Sequence, residues 1–187
     1  GLNCFLATSL NPSSKNIYEI MVFLLKNTKD LINSVDSHKN NFLILLEMNC
    51  YLNKNDRIKT IIIKYLIDNK ISINHKNIEN KNILMCILEN YSIIDWESMY
   101  DYFYFYIKQG IDLDHCDNHN MNILDNCIEQ VNTRIKLTSK SKINLLQKEI
   151  SSIRKIINKI VEYKSLTKKD KESLTKLKEN LSSKKLI

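Results

Sequence analysis

With 187 residues, 43% hydrophobic and 26% charged, the chain is ample for one domain with a real core. Two glycines and one proline are too few for a sheet of tight hairpins or for a backbone-cradled phosphate loop, and they favour helices. The longest apolar run, residues 20–25, is far short of the ~18 residues a membrane span needs, and the net charge of +7 is uneven: +11 over residues 134–187 and −4 over residues 1–133.

Residues 1–10 read as the first helix of a partial unit, so the chain starts within a unit, as a fragment or a trimmed start would. Pro12, Ser13 and Ser14 form the clearest break, and either serine can cap a helix beginning near Asn16. That helix, to Asn27, carries Ile17, Ile20, Met21, Leu24 and Leu25 at steps of three and four. Residues 30–40 follow as a polar turn with Leu31, Ile32 and Val35 pinned inward. A short helix over 41–51 places Leu43, Leu46 and Cys50 on one side. Asp56 can cap a helix over 57–68, whose Ile61-Ile62-Ile63 would otherwise favour a strand. Residues 71–78 turn again, and 82–89 form the next short helix. A helix over 96–109 holds Tyr100, Tyr102, Phe103, Tyr104, Phe105 and Tyr106. Helical spacing turns Met99, Phe103, Tyr106 and Ile107 inward and puts Tyr100, Tyr104 and Lys108 on the opposite stripe. After a helix over 122–131 the pattern changes. Thr138 or Ser139 starts a long helix with Leu145, Leu146, Ile150, Ile153, Ile157, Ile160 and Val161 in step. Ser165-Leu166 breaks it, and Thr167 with Asp170 resembles a capping box opening a last helix with Leu174, Leu177 and Leu181.

Several columns repeat. Asn33, Asn74 and Asp114 are spaced by 41 and then 40 residues, as are Asp36, Asn77 and Asp117. Asn41, Asn82 and Asn122 follow, each with a leucine two further on at Leu43, Leu84 and Leu124; Asn3 and Phe5 fill those slots in the partial first copy. The pattern resembles the ankyrin repeat. Val22, Leu24 and Leu25, then Ile63, Leu66 and Ile67, then Phe103, Tyr106 and Ile107 stand in that family's second-helix slots. Gly110 keeps its glycine; Lys70 and Thr28 do not. The Thr-Pro-Leu-His start is reduced to Asn-x-Leu. The longer inter-helix loops and the Ile/Asn/Lys-rich composition look like poxvirus ankyrin proteins.

The resemblance implies an all-α, ankyrin-type solenoid of stacked helix pairs over residues 1–133, in units of about 1–35, 36–76, 77–116 and 117–133 onward. Residues 134–187 would form a basic C-terminal helical hairpin that caps the stack, because an end unit needs a cover. It implies a non-enzymatic module of a viral or intracellular-parasite protein that binds a host protein to block immune signalling or restriction. No F-box-like segment is visible in the tail. The five scattered cysteines indicate a reducing compartment, hence cytosol or nucleus, and the resemblance implies that these are the host cell's cytoplasm or nucleus.

The expected binding residues are the turn tips, His38, Lys39 and Asn40, then His75, Lys76 and Asn80, then Asn118, His119 and Met121, with Tyr100 and Tyr104 behind them. The alternative is nucleic-acid or acidic-surface binding through Lys155, Lys159, Lys168, Lys169 and Lys171, which lack the aromatic interleaving and arginines of base recognition. His115, Cys116, His119 and Cys127 match no zinc spacing. Cys116 with His115 or His119 lacks an oxyanion hole and an orienting group. No metal, cofactor, small-molecule substrate, membrane contact or enzymatic activity is therefore expected.

Overall fold

The structure is a computed structural model that describes residues 3–10, 14–48, 56–90, 96–137 and 143–183. The described residues form nine α-helices and no strand: α1 (Cys4–Ser9), α2 (Ser14–Asn27), α3 (Phe42–Met48), α4 (Asp56–Asp68), α5 (Ile83–Glu89), α6 (Trp96–Lys108), α7 (Ile123–Leu137), α8 (Ile143–Tyr163) and α9 (Lys168–Ser183). A 3-10 turn, Lys29–Asn33, follows α2. The protein is all-α, and it divides into two compact units, Gly1–Ile94 and Asp95–Ile187.

Short helices need their ends satisfied, and one device recurs. The side-chain oxygen of Asn3 accepts the Leu6 amide (2.9 Å), that of Asn41 the Ile44 amide (3.1 Å), that of Asn82 the Met85 amide (3.2 Å) and that of Asn122 the Asp125 amide (3.0 Å). Each asparagine thus caps the helix that follows it. The repeated Asn-x-Leu is a cap with the first buried leucine behind it: Leu43, Leu84 and Leu124 are all at most 1% exposed.

The turns before these caps also repeat in atomic detail. A carboxylate or amide oxygen of Asp36, Asn77 and Asp117 accepts the amides two and four residues on: His38 and Asn40, Glu79 and Lys81, His119 and Met121, all at 2.7–3.0 Å. The main-chain amide of the same residue donates to the carbonyl four on, at 3.0 Å in all three turns. Lys39, Asn80 and Asn120, third after it, all sit at φ 58. Short polar side chains favour such turns because they mimic a backbone partner.

In the first unit, α3 packs between α1 and α5, while α4 lies against α2 and α3. Phe5 of α1 meets Phe42 of α3 with ring centroids 4.5 Å apart, and Tyr18 of α2 meets Tyr65 of α4 edge-on at 5.8 Å. Helix α4 buries Ile62, Ile63 and Leu66 and leaves Ile61 out, a helical stripe and not a strand's alternation. Helix α3 is buried on all sides over residues 42–47, a broader burial than the single face of Leu43 and Leu46. It therefore carries Glu47 inside, fully buried and paired with the fully buried Lys59 of α4. Ile32 is buried as expected, but Leu31 is only half-buried and Val35 is 38% exposed: Val35 bridges Asn41 at the base of the turn and shares its slot with the exposed Lys76.

In the second unit, α8 packs along α6 and α7, and α9 along α7. Met99, Tyr102, Phe103, Tyr106 and Ile107 of α6 are buried, as are Ile150, Ile153, Ile156, Ile157 and Ile160 of α8. Helix α7 runs to Leu137, beyond the expected end near Val131, because nothing between Asn132 and Leu137 breaks it. The expected caps at Ser13, Thr138 and Ser139, and the side chains of Cys50, Asp56, Leu145 and Leu146, lie outside the described residues.

Candidate functional site

The turn tips of the first unit are tied to one another. The Ile78 amide donates to the His38 carbonyl (2.8 Å), and His75 Nε2 lies 2.6 Å from the Lys39 carbonyl. This brings His38, Lys39, His75 and Ile78 together. His38, Lys39 and Lys76 are exposed, His75 and Asn80 half-buried, and Asn40 is buried, its amide group donating to Asp36 (3.0 Å). Asn40 is therefore part of the floor and not of the tip.

Beside these tips runs a cleft of about 340 Å³, lined by His38, Asn40, Met48, Asn77, Ile78, Glu79, Cys86, Glu89 and Asn90. It joins the turns to the ends of α3 and α5. Met48 and Ile78 expose 39% and 53% of their surface in this setting. Glu79 and Glu89 share the ammonium of Lys81. Burial opposes the charge on Lys81, but the two carboxylates outweigh it and raise its pKa. Met48 and Glu89 escaped the sequence reading because each ends a helix, where periodicity carries no signal.

The third tip belongs to the second unit. Asn118 and His119 are exposed and Met121 half-buried. Next to it stands a polar cluster. Asp170, fully buried at the start of α9, accepts from the Thr167 amide and hydroxyl (2.8 Å each), from Lys164 (3.0 Å) and from Asn122 (3.2 Å). The expected capping box is present, since the Asp170 amide returns a bond to the Thr167 hydroxyl (3.2 Å). Burial alone would raise the Asp170 pKa; the Thr167 amide, Lys164, the Thr167 hydroxyl and Asn122 overcome it and hold it at about 2. Lys164 also meets Asp114 (2.6 Å), and Lys169 meets Asp125 (2.7 Å) and the Asn120 carbonyl (3.4 Å).

Tyr100 and Tyr104 stack with parallel rings 6.4 Å apart. Lys108 and Lys159 both lie over the Tyr104 ring, at 5.5 and 5.0 Å, and over that of Tyr163. The tyrosine stripe is thus half covered by side chains of its own unit. Among the lysines of the alternative reading, Lys159 pairs with Glu162 and Lys169 with Asp125, while Lys155, Lys168 and Lys171 are exposed.

Among the described residues no group of three His, Cys, Asp or Glu converges as a metal site would. His115 is buried and its amide is held by Asp112 (3.1 Å), while Cys127 is buried within α7. Burial pushes the Cys127 thiol far up and the Cys86 thiol up to about 12, so both stay protonated and act as small apolar side chains. No described helix is long and apolar enough to cross a membrane. No protein-family model matches the chain, and no curated protein matches it either.

Proposed function

We propose that the chain is a non-enzymatic protein-binding module of ankyrin type, whose turn tips and adjoining cleft grip a partner protein. The observation that carries this is the turn built three times over, at residues 36–41, 77–82 and 117–122, with one hydrogen-bond pattern and one left-handed residue. Such turns fix the backbone at little cost to the side chains at the tip, whose identities vary freely: His38-Lys39, Glu79-Asn80 and His119-Asn120. A rigid scaffold with variable exposed tips is how binding loops are presented. Following the resemblance, the partner is a host protein, and the chain acts in the host cytoplasm or nucleus to block immune signalling or restriction.

Capture from host-cell lysate tests this. The intact chain is compared with a tip variant, Lys39→Ala/Lys76→Ala/His119→Ala, and with Tyr100→Ala/Tyr104→Ala. The tip variant should lose the captured protein by about tenfold or more while keeping its helical content. Equal retention by the tip variant would remove the proposal, and loss confined to the tyrosine variant would move the site to α6.

A further inference from the structure

The tyrosine stripe of α6 and the lysines of α8 are far apart in the sequence, but folding makes one surface of them. The two helices pack side by side in the second unit. Tyr104 and Tyr163 are 37% and 42% exposed, and no other large apolar side chain described in that unit is as open. Both rings carry the same two ammonium groups. Lys108 lies 5.5 Å from the Tyr104 centroid and 5.4 Å from that of Tyr163; Lys159 lies at 5.0 and 5.5 Å. The rings hold these cations in place without neutralising them. Lys159 pairs with Glu162 (2.7 Å), but Lys108 meets no carboxylate among the described residues. Hydrogen bonding to Tyr163 is the first cause of a raised Lys108 pKa, which favours its charged form. One turn before Lys159, the exposed Lys155 adds a further positive charge. Against these three lysines stand Glu162 and the exposed Asp101 of α6, so the surface keeps a positive balance.

We propose that this surface takes an acidic segment of the protein partner, one that presents a carboxylate next to an aromatic side chain. The proposal rests on the protein-binding reading above and adds a contact within the second unit. The partner's carboxylate pairs with Lys108, whose ammonium is already positioned, so less side-chain freedom is lost than at an unheld lysine. The neighbouring ring covers the exposed parts of Tyr104 and Tyr163, since aromatic side chains bury much area for little entropy. Nucleic acid is the wrong occupant. A stacked base needs an open ring face, and it would have to displace the ammonium groups that lie over both rings. Successive phosphates would also meet Glu162 and Asp101 as like charges.

The test uses the full chain and short capped peptides in a Gly-Ser background, with Glu-Phe, Gln-Phe, Glu-Ser or Lys-Phe at the centre, and an oligothymidine beside them. Binding is followed by backbone amide shifts in isotope-labelled protein. The Glu-Phe peptide should bind about tenfold or more tighter than Lys-Phe, and shift the amides of Tyr104, Lys108, Lys159 and Tyr163. Gln-Phe and Glu-Ser should each be weaker than Glu-Phe. Lys108→Gln, at an exposed position, should weaken Glu-Phe binding by about threefold or more and leave the remaining spectrum in place. Lys168→Gln, on α9, should leave that binding unchanged, which separates this surface from the general attraction of a basic tail. Equal loss in the two variants, Lys-Phe binding as tightly as Glu-Phe, or oligothymidine displacing Glu-Phe from these four amides would overturn the proposal. If the peptides fail while tip-dependent capture from lysate persists, only the acidic-segment assignment falls; if both fail, the protein-binding reading falls with it.

Discussion

Lys70 adopts φ 68 after α4, where Gly110 adopts φ 82 after α6. Both close the same C-terminal motif. The Ile71 amide donates to the Leu66 carbonyl (3.1 Å) and the Lys70 amide to Ile67 (2.9 Å), matching Ile111 to Tyr106 (3.3 Å) and Gly110 to Ile107 (3.1 Å). A side chain in this region costs about 1 kcal/mol that glycine does not incur. Lys70→Gly should therefore raise the urea midpoint of the first unit by the equivalent of about 0.5–1 kcal/mol. Gly110→Ala should lower that of the second by about 1 kcal/mol, through conformation alone, since a built Cβ meets nothing within 4 Å. A Lys70→Gly midpoint at or below the parent's would show that tertiary contacts of the lysine hold the turn. The glycine at 110 was legible in the sequence as a helix stop, but the equivalent turn at Lys70 was not, because a lysine there contradicts local preference and only the register implies it. Glu47 left a readable trace: it is the one charged residue in the apolar run of α3, and such a residue in an all-buried helix needs a partner. Which lysine supplies it lies beyond the reach of periodicity.

Helix α9 shows what an element's sequence does and does not reveal. Its Thr167–Asp170 box is local, three residues across, and so could be read directly. The contacts that dock the helix are not local: Asn122 is 48 positions from Asp170, and Lys169 is 44 from Asp125. Among the described lysines of the tail nothing in the sequence marks Lys164 as the buried one. Docking through Asp170 has a pH signature. Its carboxylate is held at about 2, below the ordinary 3.8, so the native state favours the charged form. That contribution is complete above about pH 4 and is lost as the pH falls through about 2. Asp170→Asn should accordingly lower the urea midpoint at pH 7 and expose the amides of α9 to faster hydrogen exchange. The difference from the parent should shrink as pH falls from 4 and vanish near 2. A difference that persists unchanged at pH 2 would mean that the site acts through packing, not charge.

At the scale of the whole molecule the fold class was legible because helical spacing, scarce glycine and the repeated Asn-x-Leu all pointed one way. The consequence of the charge distribution was not. The excess of +11 in residues 134–187 invites a nucleic-acid reading, but folding divides those charges among partners and faces. Lys164 and Lys169 are taken up by aspartates, and Lys159 by Glu162 and two tyrosine rings. On the exposed face of α9, Lys168, Lys171 and Lys176 share a shallow surface with Glu172 and Glu179. The two glutamates repel the phosphates that the three lysines attract. Three lysine contacts to a single strand would give a slope of about −2 in log affinity against log salt, from about −0.7 per contact. A module built for nucleic acid uses twice as many contacts or more and gives a steeper slope. The full chain titrated with a labelled oligothymidine should therefore bind weakly at low salt, with a slope no steeper than about −2. Lys168→Glu/Lys171→Glu should abolish that binding while leaving capture of the protein partner intact. A slope steeper than about −4 would show that the basic helices gather phosphates as one surface, and would place nucleic acid ahead of protein as the partner.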